Sequence, residues 1–217
     1  MGKIMMVDLS AGTINIQPVS HAVYESFLSG MGLAVHILYH GIPAHADPLG
    51  PDNMLGFVSG LLTGTGSLFT GRWMVTGKSP LTRGWGEANC GGNFSPAIKR
   101  CGVDGIFFKG ISPHPVYLYV DDTTAELRDA TDLWGKDAVE TETQLIEQSN
   151  SRKTRVACIG PAGEKCSLMA GVSTDKGRMA ARSGLGAVMG SKKLKALVLA
   201  GTRRIVSHNP HEIKRLS

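Results

Sequence analysis

The chain has 217 residues, 42% of them hydrophobic and 19% charged, with a formal net charge of +5. That length fits one large domain or two small ones with a real core, and no apolar run is long enough to span a membrane. The charge is uneven: residues 1–150 carry 9 basic and 15 acidic side chains, and residues 151–217 carry 14 and 3, a local net of +11. Such a positive block suits nucleic acid, an anionic cofactor or an acidic partner. No helix-turn-helix, RRM or KH signature is visible, and aromatics are only 6% of the chain, so nucleic acid is the weakest of the three. The N-terminus is charged too soon for a signal peptide, which makes a cytoplasmic location, with no membrane partner, the default expectation. Cys90, Cys101, Cys158 and Cys166 show no CxxC spacing, so zinc-ribbon and ferredoxin motifs are excluded and free thiols are expected.

In chain order, Ile4 to Leu9 and Thr13 to Gln17 read as a hairpin turned by Ser10-Ala11-Gly12. Ser20 opens a helix through Phe27, and Ser29-Gly30-Met31-Gly32 separates it from a second helix, Leu33 to His40. His36 and His40 lie one helical turn apart, but without a third ligand they read as a partly exposed face. Residues 41–53 form a loop, followed by strands over 54–59 and 72–76 and a turn at Ser79-Pro80-Leu81-Thr82. Phe94 to Cys101 predicts a short helix and Gly105 to Lys109 a buried strand. Residues 115–120 and 124–128 alternate as a hairpin, 137–148 forms an amphipathic helix, 155–159 a strand and Gly160-Pro161-Ala162-Gly163 a turn. Residues 194–201 are an apolar strand, and His211 to Leu216 begins a helix. About ten strands, mostly in hairpins, indicate α+β layers rather than a doubly wound parallel sheet.

One pattern occurs twice, about 100 residues apart. Ser67-Leu68-Phe69-Thr70-Gly71 leads to Asn89-Cys90-Gly91-Gly92 and then the run from Gly102 to Gly110; Ser167-Leu168-Met169-Ala170-Gly171 leads to Gly184-Leu185-Gly186 and then the run from Leu194 to Gly201. This predicts two related, mainly antiparallel β-sheet halves in a layered sandwich with flanking helices and an internal pseudo-two-fold. Glycines permit positive φ and close backbone approach, and exposed N–H groups in such turns bind anions. Arg72, Arg178 and Arg182 beside the clusters suit a polyanionic ligand held between the halves. Tight packing between layers explains any single glycine better, and ligand binding is favoured only for the clusters taken together. There is no GxxxxGK[ST], and the GxGxxG-like run at Gly184 has its third glycine displaced to Gly190.

The motifs Leu62-Thr63-Gly64-Thr65, Lys78-Ser79-Pro80-Leu81-Thr82, Ala88-Asn89-Cys90-Gly91-Gly92, Leu133-Trp134-Gly135-Lys136, Ile159-Gly160-Pro161-Ala162-Gly163-Glu164 and Gly186-Ala187-Val188-Met189-Gly190-Ser191-Lys192-Lys193 occur in one order. In that order the chain closely resembles the N-terminal domain of the aldehyde:ferredoxin oxidoreductases, from about residue 3 to 205. The resemblance implies that residues 1–205 seat a tungsten bis-pyranopterin whose phosphates are bridged by magnesium. The matching positions are Arg72, Asn89, Gly91 and Gly92 in the first repeat and Arg178, Met179, Ala181 and Arg182 in the second. The backbone carbonyls of Asn89 and Met179 align with those that reach the magnesium. Many family members have arginine at the position of Met31, and many read His-Arg-Ala-Ala-Gly where this chain has Gly177-Arg178-Met179-Ala180-Ala181.

The resemblance also implies a [4Fe-4S] cluster and catalytic residues in later domains, with residues 206–217 beginning the connection to them. No catalytic residue is expected in this chain, which alone should be inactive. The implied partners are those downstream domains, ferredoxin and a small aldehyde, with a homodimer left open. A binding-only pterin or interaction module, and the equivalent domain of an aromatic acyl-CoA reductase, remain as alternatives, as does molybdenum in place of tungsten.

Overall fold

The computed structural model describes residues 2–149, 151 and 153–217. Six strands come from the first half of the chain: β1 (Lys3–Asp8), β2 (Thr13–Pro18), β3 (Leu55–Ser59), β4 (Trp73–Lys78), β5 (Trp85–Cys90) and β6 (Gly105–Lys109). Six follow from the second: β7 (Val116–Val120), β8 (Ala125–Asp129), β9 (Arg155–Cys158), β10 (Val172–Thr174), β11 (Arg178–Ala180) and β12 (Leu194–Leu199). The helices are α1 (His21–Phe27), α2 (Met31–Gly41), α3 (Phe94–Arg100), α4 (Ala138–Gln148), α5 (Pro161–Glu164), α6 (Leu185–Ser191) and α7 (Pro210–Leu216).

The strands form two six-stranded sheets, ordered β2-β1-β6-β3-β4-β5 and, read from the corresponding edge, β8-β7-β12-β9-β10-β11. Adding six to each strand of the first sheet gives the second. The pairings repeat as well: β1 with β6 and β7 with β12 are parallel, and the other neighbours are antiparallel. The duplication expected from the sequence is therefore present strand by strand, in an α+β fold.

The inner faces share one core that includes Met5, Phe57, Trp73 and Phe108 from the first sheet and Leu118, Ala157, Val172 and Leu197 from the second. Helices α3 and α6 lie in that core, so the layers are helix, sheet, helix pair, sheet, helix. Outside, α2 covers the first sheet through Leu33, Ala34 and Leu38, with Val23 and Tyr24 of α1 packed beside them, and α4 covers the second through Leu145. Each large apolar side chain so buried contributes roughly 1.5–3 kcal/mol.

Two glycines of α6 show what the middle layer demands. A Cβ at Gly190 would lie 1.8 Å from the Gly163 carbonyl oxygen, and one at Gly186 would lie 2.4 Å from that of Gly171. These glycines serve backbone-to-backbone packing rather than a dinucleotide motif. Polar anchors are buried alongside. Lys99 pairs with Asp104 at 3.6 Å and donates to the Leu61 carbonyl at 2.7 Å; Asp104 also accepts from the Tyr24 hydroxyl and the Gly2 N–H, both at 2.7 Å. In the second half, Lys195 pairs with Glu164 and donates to the Lys136 carbonyl at 2.8 Å.

The structure differs from the sequence expectation in four places. Trp85–Cys90 is a strand, 161–164 is a helical turn rather than a loop, α2 starts at Met31, and the strands number twelve among the described residues. The His36 and His40 rings lie 4.6 Å apart, tilted by 53°, and His40 Nδ1 lies 2.8 Å from the His36 carbonyl oxygen. Among the described residues no group of three His, Cys, Asp or Glu side chains could hold a metal, and no helix is long and apolar enough to cross a membrane.

Candidate cofactor-binding site

The site forms where the edge strands β5 and β11 of the two sheets meet. Arg72 immediately precedes β4, and Trp73 behind it is fully buried. The Trp73 ring lies 4.8 Å from that of Phe94, which opens α3 just after the glycine pair. This aromatic contact fixes both approaches to the site from below. On β5 the small residues Gly86, Ala88 and Cys90 face inward, leaving Asn89 exposed.

Arg72 is held by Asn89. Its Nε donates to Asn89 Oδ1 at 2.8 Å, its Nη2 donates to the same oxygen, and Nη2 also reaches the Asn89 carbonyl at 3.3 Å. Asn89 pairs with Met74, and Met179 pairs with Ser173. Asn89 and Met179 thus occupy matching places on the two edge strands, each next to a buried residue, Cys90 or Ala180. The arginines do not match in this way: Arg72 leads into β4, whereas Arg178 begins β11.

Gly91 sits between them. The place of its absent Cβ is 3.8 Å from Arg72 Nη1 and 3.9 Å from Arg178 Nη1, with nothing nearer. The site is therefore an open saddle with two guanidinium groups on its flanks. Among the described residues, the guanidinium groups of Arg178 and Arg182 make no hydrogen bond or ion pair, and both side chains are exposed. Burial pushes the Cys90 thiol up, while Arg72 and Arg178 pull it the other way. Both cations thus act on the same spot, yet the thiol is buried and is not an activated nucleophile.

This donor set fits an anion with several phosphate oxygens. Guanidinium pairs with phosphate bidentately, and a glycine between two of them leaves room for close approach. With no group of three His, Cys, Asp or Glu side chains able to hold a metal among the described residues, magnesium here would depend on backbone carbonyls and on oxygens of the ligand. Of the two carbonyls expected to reach the magnesium, that of Asn89 also accepts a long hydrogen bond from Arg72 Nη2.

Arg72, Asn89, Gly91, Gly92 and Arg178 are thus brought together, and Met179, Ala181 and Arg182 continue the same edge. Gly92 has a distinct part. Its φ is +96°, and a Cβ there would lie 2.0 Å from Asp175 Oδ2 and 3.1 Å from Arg178 Cδ. It makes room for the second half to lie on the first. Asp175 and Ser183, which make polar contacts between the halves, were not singled out from the sequence. Their only signal there was their place on either side of Arg178–Arg182.

The sequence model described as aldehyde ferredoxin oxidoreductase, N-terminal domain, matches residues 4–201. The tungsten-containing aldehyde ferredoxin oxidoreductase of Thermococcus kodakarensis is 42% identical over 204 residues, covering 94% of this chain and 34% of that protein. The aliphatic sulfonate oxidoreductase, WOR-like subunit, of Pyrococcus furiosus is 31% identical over 217 aligned residues, covering 93% and 34%. Among solved structures, the active site complex BamBC of benzoyl coenzyme A reductase with 1,5-dienoyl-CoA superposes with a TM-score of 0.94 at 37% identity, covering 97% of this chain and 32% of that one. The chain spans about a third of the length of these relatives. It belongs to the aldehyde ferredoxin oxidoreductase family, corresponding to the N-terminal domain of its members.

Proposed function

We propose that this chain seats a tungsten bis-pyranopterin within a larger oxidoreductase that oxidises an aldehyde to a carboxylic acid and passes electrons to ferredoxin. The observation that carries this reading is the open face of Gly91 between Arg72 and Arg178, one guanidinium from each half. When bound, the cofactor supplies the two-electron chemistry of the metal, and a [4Fe-4S] cluster in later domains carries electrons away one at a time. This chain's own part is to hold. Arg72, preset by Asn89, and the exposed guanidinium groups of Arg178 and Arg182 would neutralise the phosphates, and the Asn89 and Met179 carbonyls would help to hold a magnesium ion. The glycine loop keeps the backbone close beneath.

We assign residues 1–205 to this seat and 206–217 to the start of a connection. Helix α7 has no buried residue, which supports a role in linking rather than in the core. The exposed tips Leu68-Phe69 and Leu168-Met169 precede β4 and β10 at the same ends of the two sheets, apolar surface suited to downstream domains of the same enzyme.

The test is metal analysis of the protein purified without oxygen. Arg72→Ala and Arg178→Ala should each lower retained tungsten or molybdenum several-fold with the thermal midpoint unchanged. Wild-type metal content in both would sink the phosphate-clamp reading. The likeness to the benzoyl coenzyme A reductase structure favours one second reading, an aromatic acyl-CoA thioester as substrate. Dye reduction driven by an aldehyde, against that driven by a dienoyl-CoA, separates the two.

A further inference from the structure

Arg178–Arg182 is strung between two posts that stand on the other half of the molecule. One post is Asp175, in the tight turn joining β10 to β11, where Asp175 and Lys176 have φ of +47° and +58°. Its Oδ2 accepts from the Asn93 N–H at 2.7 Å, directly after the glycine pair. The carboxylate occupies the space that Gly92 leaves open. The turn is held from behind, because the buried Glu142 of α4 accepts from the Lys176 N–H at 2.8 Å. The other post is Ser183. Its Oγ accepts from the Glu87 N–H at 3.2 Å and donates to the Glu87 carbonyl at 3.0 Å, and its carbonyl accepts from Ser79 Oγ at 2.9 Å.

We propose that Asp175 is a positioning residue that clamps the arginine strand of the second half onto the glycine loop of the first, so that Arg72 and Arg178 face one ligand. This rests on the cofactor reading above. A carboxylate-to-amide hydrogen bond is stronger than a neutral one, and here it bridges residues 82 positions apart. Each guanidinium is carried on a different sheet, so their separation depends on contacts between the sheets. Asp175 makes the charged contact next to both. It touches no ligand in this role and acts through Asn93 and Gly92.

The experiment compares Asp175→Ala, Asp175→Asn and Arg72→Ala in the whole protein, purified without oxygen. Amide hydrogen exchange at Asn93 reports the clamp, and tungsten or molybdenum per chain reports the seat. Asp175→Ala should speed exchange at Asn93 about tenfold and lower the metal about fivefold. Asp175→Asn keeps an acceptor oxygen without the charge and should fall between wild type and Asp175→Ala in both. Arg72→Ala should lower the metal and leave exchange at Asn93 unchanged. Wild-type metal in Asp175→Ala overturns the proposal, and so does an equal loss in the Ala and Asn variants. If Asp175→Ala does not fold, Asn93→Pro removes the donor instead, and the same loss of metal is expected; retained metal there overturns the proposal. Wild-type metal in Arg72→Ala and in the Arg178→Ala variant above marks failure of the cofactor reading and takes the proposal with it. That case is recognisable because exchange at Asn93 still responds to Asp175.

Discussion

Helix α3 of the first half ends on Cys101, and helix α6 of the second ends on Lys192, both buried at the same place in the repeat. The interior treats them alike by disfavouring charge in each. Desolvation pushes the Cys101 thiol up to about 11 and the Lys192 ammonium from its ordinary 10.5 down to about 8. For the thiol this is harmless, since it is neutral at physiological pH anyway. Lys192 must be carried as a buried cation, held by the Gly110 carbonyl at 3.1 Å. The two halves thus share topology but not chemistry. Duplication fixed where strands and helices run, and each half then acquired its own internal charges.

The largest effect that would sharpen this comparison concerns the buried ion pairs. Lys195→Met strands Glu164, which keeps the Gly135 N–H at 2.8 Å as its other partner, and should destabilise the fold by about 3–5 kcal/mol. Lys99→Met leaves Asp104 with both the Tyr24 hydroxyl and the Gly2 N–H, and should cost clearly less. Denaturant titration of both variants ranks them, and equal losses would show that these residual partners do not matter.

A smaller effect follows from Lys192. Its folded pKa lies below the unfolded value, so the unfolded chain binds more protons between pH 8 and 10.5. Lys192 should therefore contribute a rise in stability with pH across that window, of about 3 kcal/mol at most. Lys192→Met should remove that contribution, whereas Cys101→Ala, the matching change in the first half, removes an opposite one: the raised thiol pKa makes the folded chain hold more protons between about pH 9 and 11, so stability should fall less with pH there in the alanine variant. An unchanged pH profile in Lys192→Met would assign the slope to another group.

The smallest difference concerns helix starts. Asp137 caps α4 by accepting from the Glu140 N–H at 2.8 Å, whereas Ser20 at the start of α1 makes no such side-chain bond. Asp137→Ala should cost about 1 kcal/mol, and Ser20→Ala no more than about 0.3 kcal/mol. Thermal melts read the pair, and a loss at Ser20 as large as that at Asp137 would break the distinction.

Much of this was legible in the sequence. The hairpins, the apolar runs of β6 and β12 and the hundred-residue repeat carry strong period and turn signals. Strand β5 was missed because its inward residues are Gly86, Ala88 and Cys90, too small to register as a hydrophobic face. The helical turn α5 was hidden by Pro161 and Gly163, which read as loop. Within the site, the arginines and glycines stood out by type. Asp175 and Ser183 did not, because their partners lie 82 and 96 residues away and only the meeting of the two sheet edges reveals them. The basic C-terminal third proved to be mixed in purpose: Lys192 and Lys195 are interior, while Arg178 and Arg182 face outward.

The strand that completes each sheet is the last of its half to be synthesised. β6 slots between β1 and β3, and β12 between β7 and β9. On a ribosome the early hairpins must wait, for about five to twenty seconds per hundred residues, before their central neighbour emerges. The inner face of the first sheet waits longer still, because α6, which covers part of it, belongs to the second half. Neither half should therefore be obtainable alone as a stable folded piece, and chaperone demand should fall on nascent chains shorter than about residue 200.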